Sequence, residues 1–296
     1  MNPLLIIDSS CLCYRSFFTM GNLSANEVKT GVIFGFLQQV FDLAKKFDTN
    51  RFAFCFDSRK SFRKMIYPEY KAKRKKDTTK DWDSLFEQIK QLRCDILPAL
   101  GFKNIFIATG YEGDDLIAYI IEQNIGGDVF PTIIVSTDND VLQLIDYDHR
   151  VYNFKEVITK DIFTDRMGGL GAWFWAEAKA VGGCDGDNVK GVKGVSDPAK
   201  SFNKDTGKYT STAIKYLNKG ASEKVVKKIG KCDIIISENR RLVHLPFRGR
   251  RVPDCKINLE GRFKKRAFID VFSEYEMLSF LRKDKFSSWI KLFGLK

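Results

Sequence analysis

The feature that most constrains this chain is a series of short apolar runs separated by amphipathic stretches. The runs cover residues 4–7, 52–56, 105–107 and 132–135, and a fifth begins at residues 151–152. The stretches 31–47, 81–100 and 112–123 place apolar residues at helical spacing. Strands that alternate with helices predict a mainly parallel sheet covered by helices. We therefore predict an α/β fold with a central, mainly parallel sheet.

The pattern changes after about residue 165, where strand-like runs become scarce. Residues 168–171 contain three glycines and predict a loop, whereas residues 173–181 predict a helix. Residues 185–208 are rich in Gly, Asp and Lys and predict a loop with short helices. The remainder predicts mainly helices, with one strand at residues 233–236. We predict two regions, an α/β core over residues 1–165 and a mainly helical region over residues 166–296.

Composition limits the class of protein. The 296 residues are 44% hydrophobic, which is enough for a buried core, and the net charge of +12 favours a polyanionic partner such as nucleic acid. No apolar run approaches the ~20 residues needed to cross a membrane, and Asp8 interrupts the first run before it resembles a signal peptide. The seven cysteines contain no CxxC pair, so we expect neither a disulfide framework nor a zinc site, and a reducing cytoplasm.

Acidic residues follow the four apolar runs of the first half. Asp8 follows the first run and Asp57 the second. After a short loop the third run is followed by Glu112, Asp114 and Asp115, and the fourth run is followed by Asp138 and Asp140. Parallel strands bind ligands beyond their carboxyl ends, so these side chains should converge. Carboxylates so close together repel each other unless cations lie between them. Hard oxygen ligands suit Mg²⁺ or Mn²⁺ better than Zn²⁺, so the sequence predicts a site for such ions.

A structural alternative exists for each of these acids. An Asp after a strand is commonly a turn former or a helix N-cap. Asp8 can cap a helix that begins near Ser10, and Asp138 can cap a helix that contains Val141 and Leu144. Agreement among four strand ends favours the metal site for the group as a whole.

Five short motifs in a fixed order resemble the 5′ nuclease family, which includes bacteriophage 5′→3′ exonucleases, flap endonucleases and the N-terminal nuclease domain of bacterial DNA polymerase I. The motifs lie at residues 6–18, 56–74, 110–115 (Gly-Tyr-Glu-Gly-Asp-Asp), 136–140 (Ser-Thr-Asp-Asn-Asp) and 186–195. The resemblance covers most of the first 195 residues. It implies a PIN-like core, a basic helical arch at about residues 58–80, and a C-terminal helix-three-turn-helix region that binds DNA.

The resemblance also implies metal ligands. Asp8, Asp57, Glu112 and Asp114 would hold one Mg²⁺, with Asp115 nearby, and a second Mg²⁺ would be held by Asp138, Asp140 and Asp187. Mn²⁺ can substitute for Mg²⁺, and the helix-three-turn-helix of this family often holds K⁺. Two such metals activate the attacking water and stabilise the leaving oxygen, so no histidine base is needed. We therefore interpret His149 and His244 as structural or surface residues.

The chain departs from the family pattern on both sides of the last motif, with Ser196 in place of its final glycine and, more consequentially, with a change just before it. The pattern places an Asp directly after a glycine, where this chain has Cys184, and the nearest acid is shifted to Asp185. A thiol is a poor Mg²⁺ ligand, and a shift of one residue turns a helical side chain by ~100°. Either Asp185 takes over or the second metal site is weakened. Our hypothesis is that Asp185 partly substitutes.

Residues 59–76 carry nine Lys or Arg and a single acid, and the interleaved aromatic residues Phe62, Tyr67 and Tyr70 offer stacking surfaces for unpaired bases. Such a run is usually a solvated face, but here it directly follows Asp57. The resemblance implies that Lys71 and Arg63 contact the scissile phosphate, with Arg74 behind them. The full set of predicted DNA contacts comprises Tyr14, Arg15, Tyr70, Lys73, Gly191, Lys193 and Gly194. Eleven Lys between residues 190 and 231 predict a face for duplex DNA, and ten Lys or Arg between residues 240 and 266 have no assigned role.

The resemblance implies a 5′→3′ exonuclease and flap endonuclease that leaves 5′-phosphate and 3′-hydroxyl ends. Its expected substrates are DNA with 5′ flaps or free 5′ ends and RNA–DNA hybrids. We expect a monomer that stands alone, as in phages, and removes primers or flaps during replication in a bacterial or phage-infected cytoplasm. Two alternatives stay open: a PIN-like nuclease that cuts RNA, and a DNA-structure-binding protein that has lost catalysis, for which Cys184 is the support.

Overall fold

The computed structural model describes residues 2–25, 27–74, 77–123, 131–249, 251–258 and 262–296. Lys75 and Lys76 of the predicted arch, and Arg250 of the second basic stretch, lie outside the described residues. The strands are β1 (Leu4–Asp8), β2 (Ser24–Ala25), β3 (Val28–Lys29), β4 (Phe52–Cys55), β5 (Ile105–Phe106), β6 (Thr132–Val135), β7 (His149–Tyr152), β8 (Val157–Ile158), β9 (Gly183–Cys184), β10 (Val189–Lys190), β11 (Phe202–Asn203) and β12 (Lys208–Tyr209).

The helices follow the strands in the expected alternation through the first half and dominate the second. They are α1 (Ser9–Met20), α2 (Gly31–Phe47), α3 (Phe62–Ile66), α4 (Trp82–Gln91), α5 (Leu97–Leu100), α6 (Gly113–Gln123), α7 (Lys160–Arg166), α8 (Trp173–Gly182), α9 (Thr212–Leu217), α10 (Glu223–Ile229), α11 (Asp233–Val243), α12 (Lys265–Glu274) and α13 (Lys283–Phe293). A π-helical turn at Leu92–Ile96 joins α4 to α5, so the helix predicted over residues 81–100 is one continuous element.

A central sheet organises the molecule. Its strand order is β5-β4-β1-β6-β7-β8, and all neighbours run parallel except β7 and β8. In the middle of the sheet, Ile6 pairs with Ala53 on one side and with Ile134 on the other. Helices cover both faces, which explains why these strands read as unbroken apolar runs. The predicted α/β fold with a mainly parallel sheet is confirmed.

The two faces of the sheet contribute to two cores. Leu5, Ile7 and Phe54 point into a core with Trp289 of α13, whereas their strand neighbours such as Ile6 point into a second core with α6 and α8. This alternation follows the two-residue period of a strand. Because α12 and α13 return to the first core, the predicted boundary near residue 165 does not separate two independent cores.

The strand predicted at residues 233–236 is wrong, because these residues form the first turn of α11. Ile234 and Ile235 are exposed, and only Ile236 of the three is buried. The buried positions Ile236, Asn239 and Leu242 recur at helical spacing. The run of β-branched residues was therefore a misleading signal, since tertiary packing overrides such local propensity. The short helix predicted at residues 173–181 is present as α8.

The sheet positions the acidic residues. Because β1, β4 and β6 are parallel, Asp8, Asp57 and Asp138 all emerge at the same edge of the sheet. Helix α6 starts at Gly113, next to this edge, and so brings Glu112 and Asp114 to it. In the part of the chain that the structure describes, no helix combines the length and the apolar character needed to cross a membrane.

Candidate active site

A cavity of about 450 Å³ opens at the carboxyl edge of the sheet. The carboxylates that line it are Asp8, Asp57, Glu112, Asp114 and Asp138. These side chains come from the ends of three strands and the start of α6, and the sequence predicted each of them at this edge. The cavity also contains Lys71 and Arg74, which supply positive charge among the acids.

Hydrogen bonds to helix N-termini and to Ser136 fix the positions of Asp8 and Asp138. Asp8 accepts a hydrogen bond from the backbone N–H of Cys11 at 2.9 Å and another from Ser136 Oγ at 2.7 Å. Ser136 Oγ in turn accepts the N–H of Asp138 at 3.0 Å, and Asp138 caps the N–H of Asp140. Asp8 and Asp138 therefore cap helical segments, as the structural alternative predicts, and they also line the cavity. Ser136 was missed by the sequence analysis, although it begins the Ser-Thr-Asp-Asn-Asp motif.

Asp57 links the second strand to α6. Its Oδ1 atom accepts the N–H of Gly113 at 2.7 Å, and its own N–H donates to Ser10 Oγ at 3.2 Å. These bonds fix the start of α6 beside the end of β4. The arrangement brings Glu112 and Asp114 next to Asp57 although some 55 residues separate them in the chain.

Burial and mutual repulsion disfavour the ionised form of two carboxylates in the cavity. Burial, together with the nearby Asp57 and Asp138, raises the pKa of Asp8 from 3.8 to about 7. The pKa of Asp114 is also raised well above its usual value, first by burial and then by Asp138, Asp8 and Asp57. Carboxylates held together against their own repulsion fit a hard divalent cation such as Mg²⁺. Asp8, Asp57, Glu112 and Asp114 are the side chains that could hold it.

Two cations bridge the acids at the cavity. Lys71 Nζ lies 2.8 Å from Glu112 Oε2, and Arg74 Nη2 lies 2.7 Å from Asp187 Oδ1. Burial alone would raise the pKa of Glu112, but Lys71 and Arg63 outweigh that effect and lower it. Glu112 therefore stays ionised at neutral pH, and both cations keep N–H groups at the cavity wall.

Arg63 does not occupy the predicted place. Its guanidinium is buried and donates to both carboxylate oxygens of Asp115 at 2.7 and 2.8 Å. Its Nε atom donates to the carbonyl of Leu242, and Asp115 also accepts the N–H of Phe247. Neither residue lines the cavity. Arg63 and Asp115 are thus closed off in a buried ion pair. This position contradicts the predicted phosphate contact of Arg63 and the predicted metal-ligand role of Asp115.

The basic segment, residues 59–74 as described, packs against the body of the protein. Tyr70 is buried, and its single hydroxyl proton is shared between Asp187 Oδ2 at 2.9 Å and Glu112 Oε2 at 3.0 Å, so the ring offers no free face to a nucleobase. Phe62 lies against the core, in contact with Tyr111 and Phe247. Of the three aromatics predicted to stack on unpaired bases, Tyr70 is thus buried, and Phe62 is partly buried against the core. Lys73 remains exposed, as a DNA contact requires.

A second cluster lies behind Asp138. The ligand atoms of Asp140, Cys184 and Asp187 all lie within 4.8 Å of one another. The buried ammonium of Lys179 contacts Asp140 and lies 3.9 Å from Cys184 Sγ. Lys179 was missed by the sequence analysis, because a single lysine in a helix gives no signal of its own. With a thiol and an ammonium present, this donor set does not fit Mg²⁺.

Asp185 lies outside this cluster. Its side chain is 60% exposed and pairs with Lys200 at 2.6 Å, while its N–H donates to Asp197. The hypothesis that Asp185 substitutes for a ligand at the second site is therefore not supported by its position. The thiol of Cys184 stands beside Asp187 and Asp140 instead.

The other predicted DNA contacts lie in two places. Tyr14 and Arg15 line the cavity, where Arg15 also packs 3.9 Å from the ring centre of Phe154. Lys193 and Gly194 are exposed after β10. A Cβ atom on Gly191 would lie 2.2 Å from the carbonyl carbon of Gly182. Residue 191 is therefore glycine at least in part because its backbone packs directly against the backbone at Gly182.

Both histidines lie outside the cavity, and each contacts a carboxylate. His149 Nδ1 is 2.7 Å from Asp146 Oδ1, and His244 Nε2 is 2.9 Å from Glu177 Oε1. All seven cysteines are unpaired. The placement of the histidines agrees with the structural or surface roles predicted for them.

We expect Gly110→Ala to lower the free energy of unfolding by about 1–3 kcal/mol. Gly110 has φ of +94°, and an added Cβ would lie 2.4 Å from the ring of Phe62. Gly110 also pairs through its carbonyl with the N–H of Phe62, where the basic segment begins. Urea unfolding measures the change. Gly171→Ala is the control, since nothing lies within 4 Å of its added Cβ, and equal losses in both variants would contradict the expectation.

Comparison with known proteins adds the family. Residues 3–168 match the family model described as 5′-3′ exonuclease, N-terminal resolvase-like domain. A 5′-3′ exonuclease of Buchnera aphidicola subsp. Schizaphis graminum is 30% identical over 275 residues, which cover 90% of this chain and 83% of that protein. DNA polymerase I of Chloroflexus aurantiacus is 34% identical over 207 residues, 66% of this chain but only 21% of the polymerase.

Among solved structures, the bacteriophage T5 D15 protein co-crystallised with metal ions superposes with a TM-score of 0.64. The match covers 82% of this chain and 90% of that one, at 19% identity, and at that level it shows a shared fold. The family model spans more than half of the chain, and the Buchnera relative is matched over most of its length. On both grounds, the chain belongs to the 5′-3′ exonuclease family.

Proposed function

We propose that this chain is a structure-specific 5′ nuclease that hydrolyses phosphodiester bonds at 5′ ends and flaps of DNA. One observation carries the proposal: Asp8, Asp57, Glu112, Asp114 and Asp138 converge on one cavity, and burial and mutual repulsion raise the pKa of two of them. Family membership supports the same reaction, since the Buchnera relative is a 5′-3′ exonuclease.

Asp8, Asp57, Glu112 and Asp114 would hold a Mg²⁺ ion, for which Mn²⁺ can substitute. Such an ion supplies an activated water and neutralises charge on the phosphate. Ser136 and Gly113 orient the acids through their hydrogen bonds to Asp8 and Asp57. Asp138 lines the same cavity and adds a further oxygen ligand next to Asp8.

Lys71 and Arg74 bind the scissile phosphate. Both line the cavity, and both belong to the basic segment that leads into it. Their positive charge stabilises the negative charge that develops on the phosphoryl oxygens. Arg63 acts at one remove: its ion pair with Asp115 fixes the segment that carries Lys71. Arg63 is therefore a positioning residue in this proposal.

The nucleic acid is held on both sides of the cavity. Tyr14 and Arg15 line one wall, where an aromatic face and a guanidinium suit an unpaired strand. Lys73, Lys193 and the exposed lysines between residues 190 and 231 hold the phosphates of the duplex. The loop around Gly191 and Gly194 belongs to a helix-three-turn-helix that takes K⁺ in this proposal. RNA–DNA hybrids enter the same groove, which suits primer removal in replication by a monomer.

Cleavage of a flapped duplex tests the proposal. The substrate carries a label on its 5′ flap, and the expected result is a cut near the flap junction in Mg²⁺ that leaves a 3′-hydroxyl on the released piece. EDTA should abolish the cut, and Mg²⁺ or Mn²⁺ added in excess should restore it. The same reaction is run with a single-stranded RNA of matched length.

Two results would replace the proposal. Tight binding of the flapped duplex without cutting, in both Mg²⁺ and Mn²⁺, would favour a DNA-structure-binding protein. Faster cutting of the RNA than of the flapped DNA would favour an RNA-cutting nuclease of related fold. Cutting of the flap that does not respond to EDTA would rule out the metal-dependent mechanism.

A further inference from the structure

The second basic stretch of the chain has no part in the proposed function so far. Beyond α11 it runs without helix or strand over residues 245–249 and 251–258, which we call the strap. We infer that the strap, together with the exposed cations at the start of the basic segment, binds the phosphates of a single-stranded 5′ tail outside the cavity. The inference rests on the proposed function, since the tail belongs to the flapped substrate.

Side-chain hydrogen bonds fix the path of the strap over α6. Three side chains in α6 or just before it donate to strap carbonyls at 2.5–2.9 Å; the pairs are Tyr119 with Phe247, Tyr111 with Arg251, and Gln123 with Pro253. Farther along, Asn104 Nδ2 donates to the carbonyl of Asn258 at 2.9 Å. The strap therefore runs from Tyr111, next to the start of α6 at the carboxyl edge of the sheet, to Asn104, at the amino end of β5.

The strap lies beside the start of the basic segment. Phe62, the first residue of α3, stacks on Phe247 of the strap with ring centres 6.1 Å apart. This contact joins cations from two distant parts of the chain into one surface, which begins two residues after Asp57 of the cavity. We call its exposed members the track cations; they are Arg59, Lys60, Lys64, Arg251 and Lys256.

The charge of this surface is not balanced. Arg248 of the strap pairs with Glu122 at 2.6 Å, but none of the track cations has an ion-pair partner among the described residues. Residues 59–66 contain no acid, and residues 245–258 contain Asp254 alone. A solvated surface usually mixes charges of both signs. Unpaired cations on a backbone held in place instead suit a polyanion, whose binding releases counterions.

The shape of the surface favours one strand over a duplex. The strap from Arg251 to Lys256 reaches at most ~17 Å, since an extended chain spans about 3.3–3.6 Å per residue. That length matches about five nucleotides at the 3.4 Å spacing of a stacked strand. The rings beside it, Phe62 and Tyr111, pack against the core. The track therefore contacts phosphates rather than bases, so the tail is bound without regard to its sequence.

Binding of tailed duplexes in EDTA tests the inference, because the proposed cleavage needs a divalent ion. Two labelled duplexes differ only in a 5′ tail of about 2 or about 12 nucleotides, lengths that bracket the track. The wild-type chain should bind the longer tail about tenfold more tightly, and Arg59→Gln/Arg251→Gln should lose most of that preference. For the longer tail, the slope of log affinity against log salt should flatten by about 1.4, since each single-strand phosphate contact contributes about 0.7.

Two further variants serve as controls, and thermal unfolding verifies that each variant is folded. Lys283→Gln/Lys291→Gln removes the same charge from α13, which packs on the other core, and it should keep the preference for the longer tail. Arg59→Lys/Arg251→Lys should also keep it, because the track recognises charge.

Three results would overturn the inference. They are equal affinity of the wild-type chain for both tails, equal losses in the two glutamine variants, and equal weakening of both duplexes by Arg59→Gln/Arg251→Gln, which would assign the surface to the duplex. Flap cleavage in Mg²⁺ is scored separately. Cutting without a tail preference contradicts this inference alone, whereas a tail preference without cutting contradicts the nuclease proposal alone.

Discussion

Asp8→Asn is expected to lower flap cleavage by about 10³-fold or more, while the metal-free protein becomes more stable. The loss follows because a bound metal supplies several kcal/mol of transition-state stabilisation, and each 1.36 kcal/mol is about tenfold in rate. The amide keeps the shape of the side chain, including an oxygen that can cap Cys11. It cannot supply the charge that holds a metal ion beside Asp57 and Asp114.

The stability gain has a definite pH dependence. The pKa of Asp8 rises from 3.8 to about 7 in the folded protein, so the folded state binds a proton more tightly than the unfolded state. Stability of the metal-free protein therefore falls as pH rises through this window and levels off above about pH 7. Asp8→Asn removes the contribution of Asp8 to this slope, and Asp114, whose pKa is also raised, keeps a contribution of its own. Melting temperatures in EDTA at pH 5 and pH 8 measure it, and the wild-type difference should shrink in the variant.

Asp185→Asn is the matched control for both measurements. Asp185 lies close in sequence to Asp187, but its side chain is 60% exposed and pairs with Lys200. Its amide variant should keep cleavage within about threefold of the wild-type rate, since surface changes away from special features shift energies by only about 0.5 kcal/mol. If Asp185→Asn loses as much cleavage as Asp8→Asn, the assignment of the cavity as the metal centre is wrong.

The sequence predicted best those site residues whose position follows from the strand or helix next to them in the chain. Asp8 ends β1, and Asp57 and Asp138 come two and three residues after β4 and β6, so a parallel sheet brings them together whatever the rest of the fold does. Glu112 and Asp114 follow from the start of α6 in the same way. Strand order did not need to be known, because all three strands end at the same edge.

Side-chain direction could not be predicted in the same way. The resemblance placed Arg63 at the scissile phosphate, yet Arg63 turns inward because Asp115 and the carbonyl of Leu242, 179 residues away, accept its N–H groups. Asp185 was placed beside the metal by its neighbours in sequence, and Lys200 draws it outward. Contacts between segments that are distant in sequence set the direction of both side chains, and the spacing of residues along the chain does not predict such contacts.

Arg63→Met is expected to lower the free energy of unfolding by about 3–5 kcal/mol, the range for breaking a buried ion pair. Asp115 is fully buried, and both of its oxygens accept N–H groups of Arg63. Removing the guanidinium leaves that carboxylate uncompensated in a place that water does not reach. Methionine fills much of the volume, so lost packing contributes little. Urea unfolding of the metal-free chain, read by tryptophan fluorescence, gives the value.

Arg248→Met provides the comparison, since Arg248 makes the same two-point contact with Glu122 at the surface, with its side chain 67% exposed. Exposed pairs contribute about 0–1 kcal/mol, so this variant should remain near wild type. The double variant Arg63→Met/Asp115→Leu should recover part of the loss, because no unpaired charge remains. Its cleavage should stay below wild type, since Asp115 also holds the N–H groups of Glu112 and Phe247. A double variant as unstable as Arg63→Met would mean that packing, and not the buried charge, explains the loss.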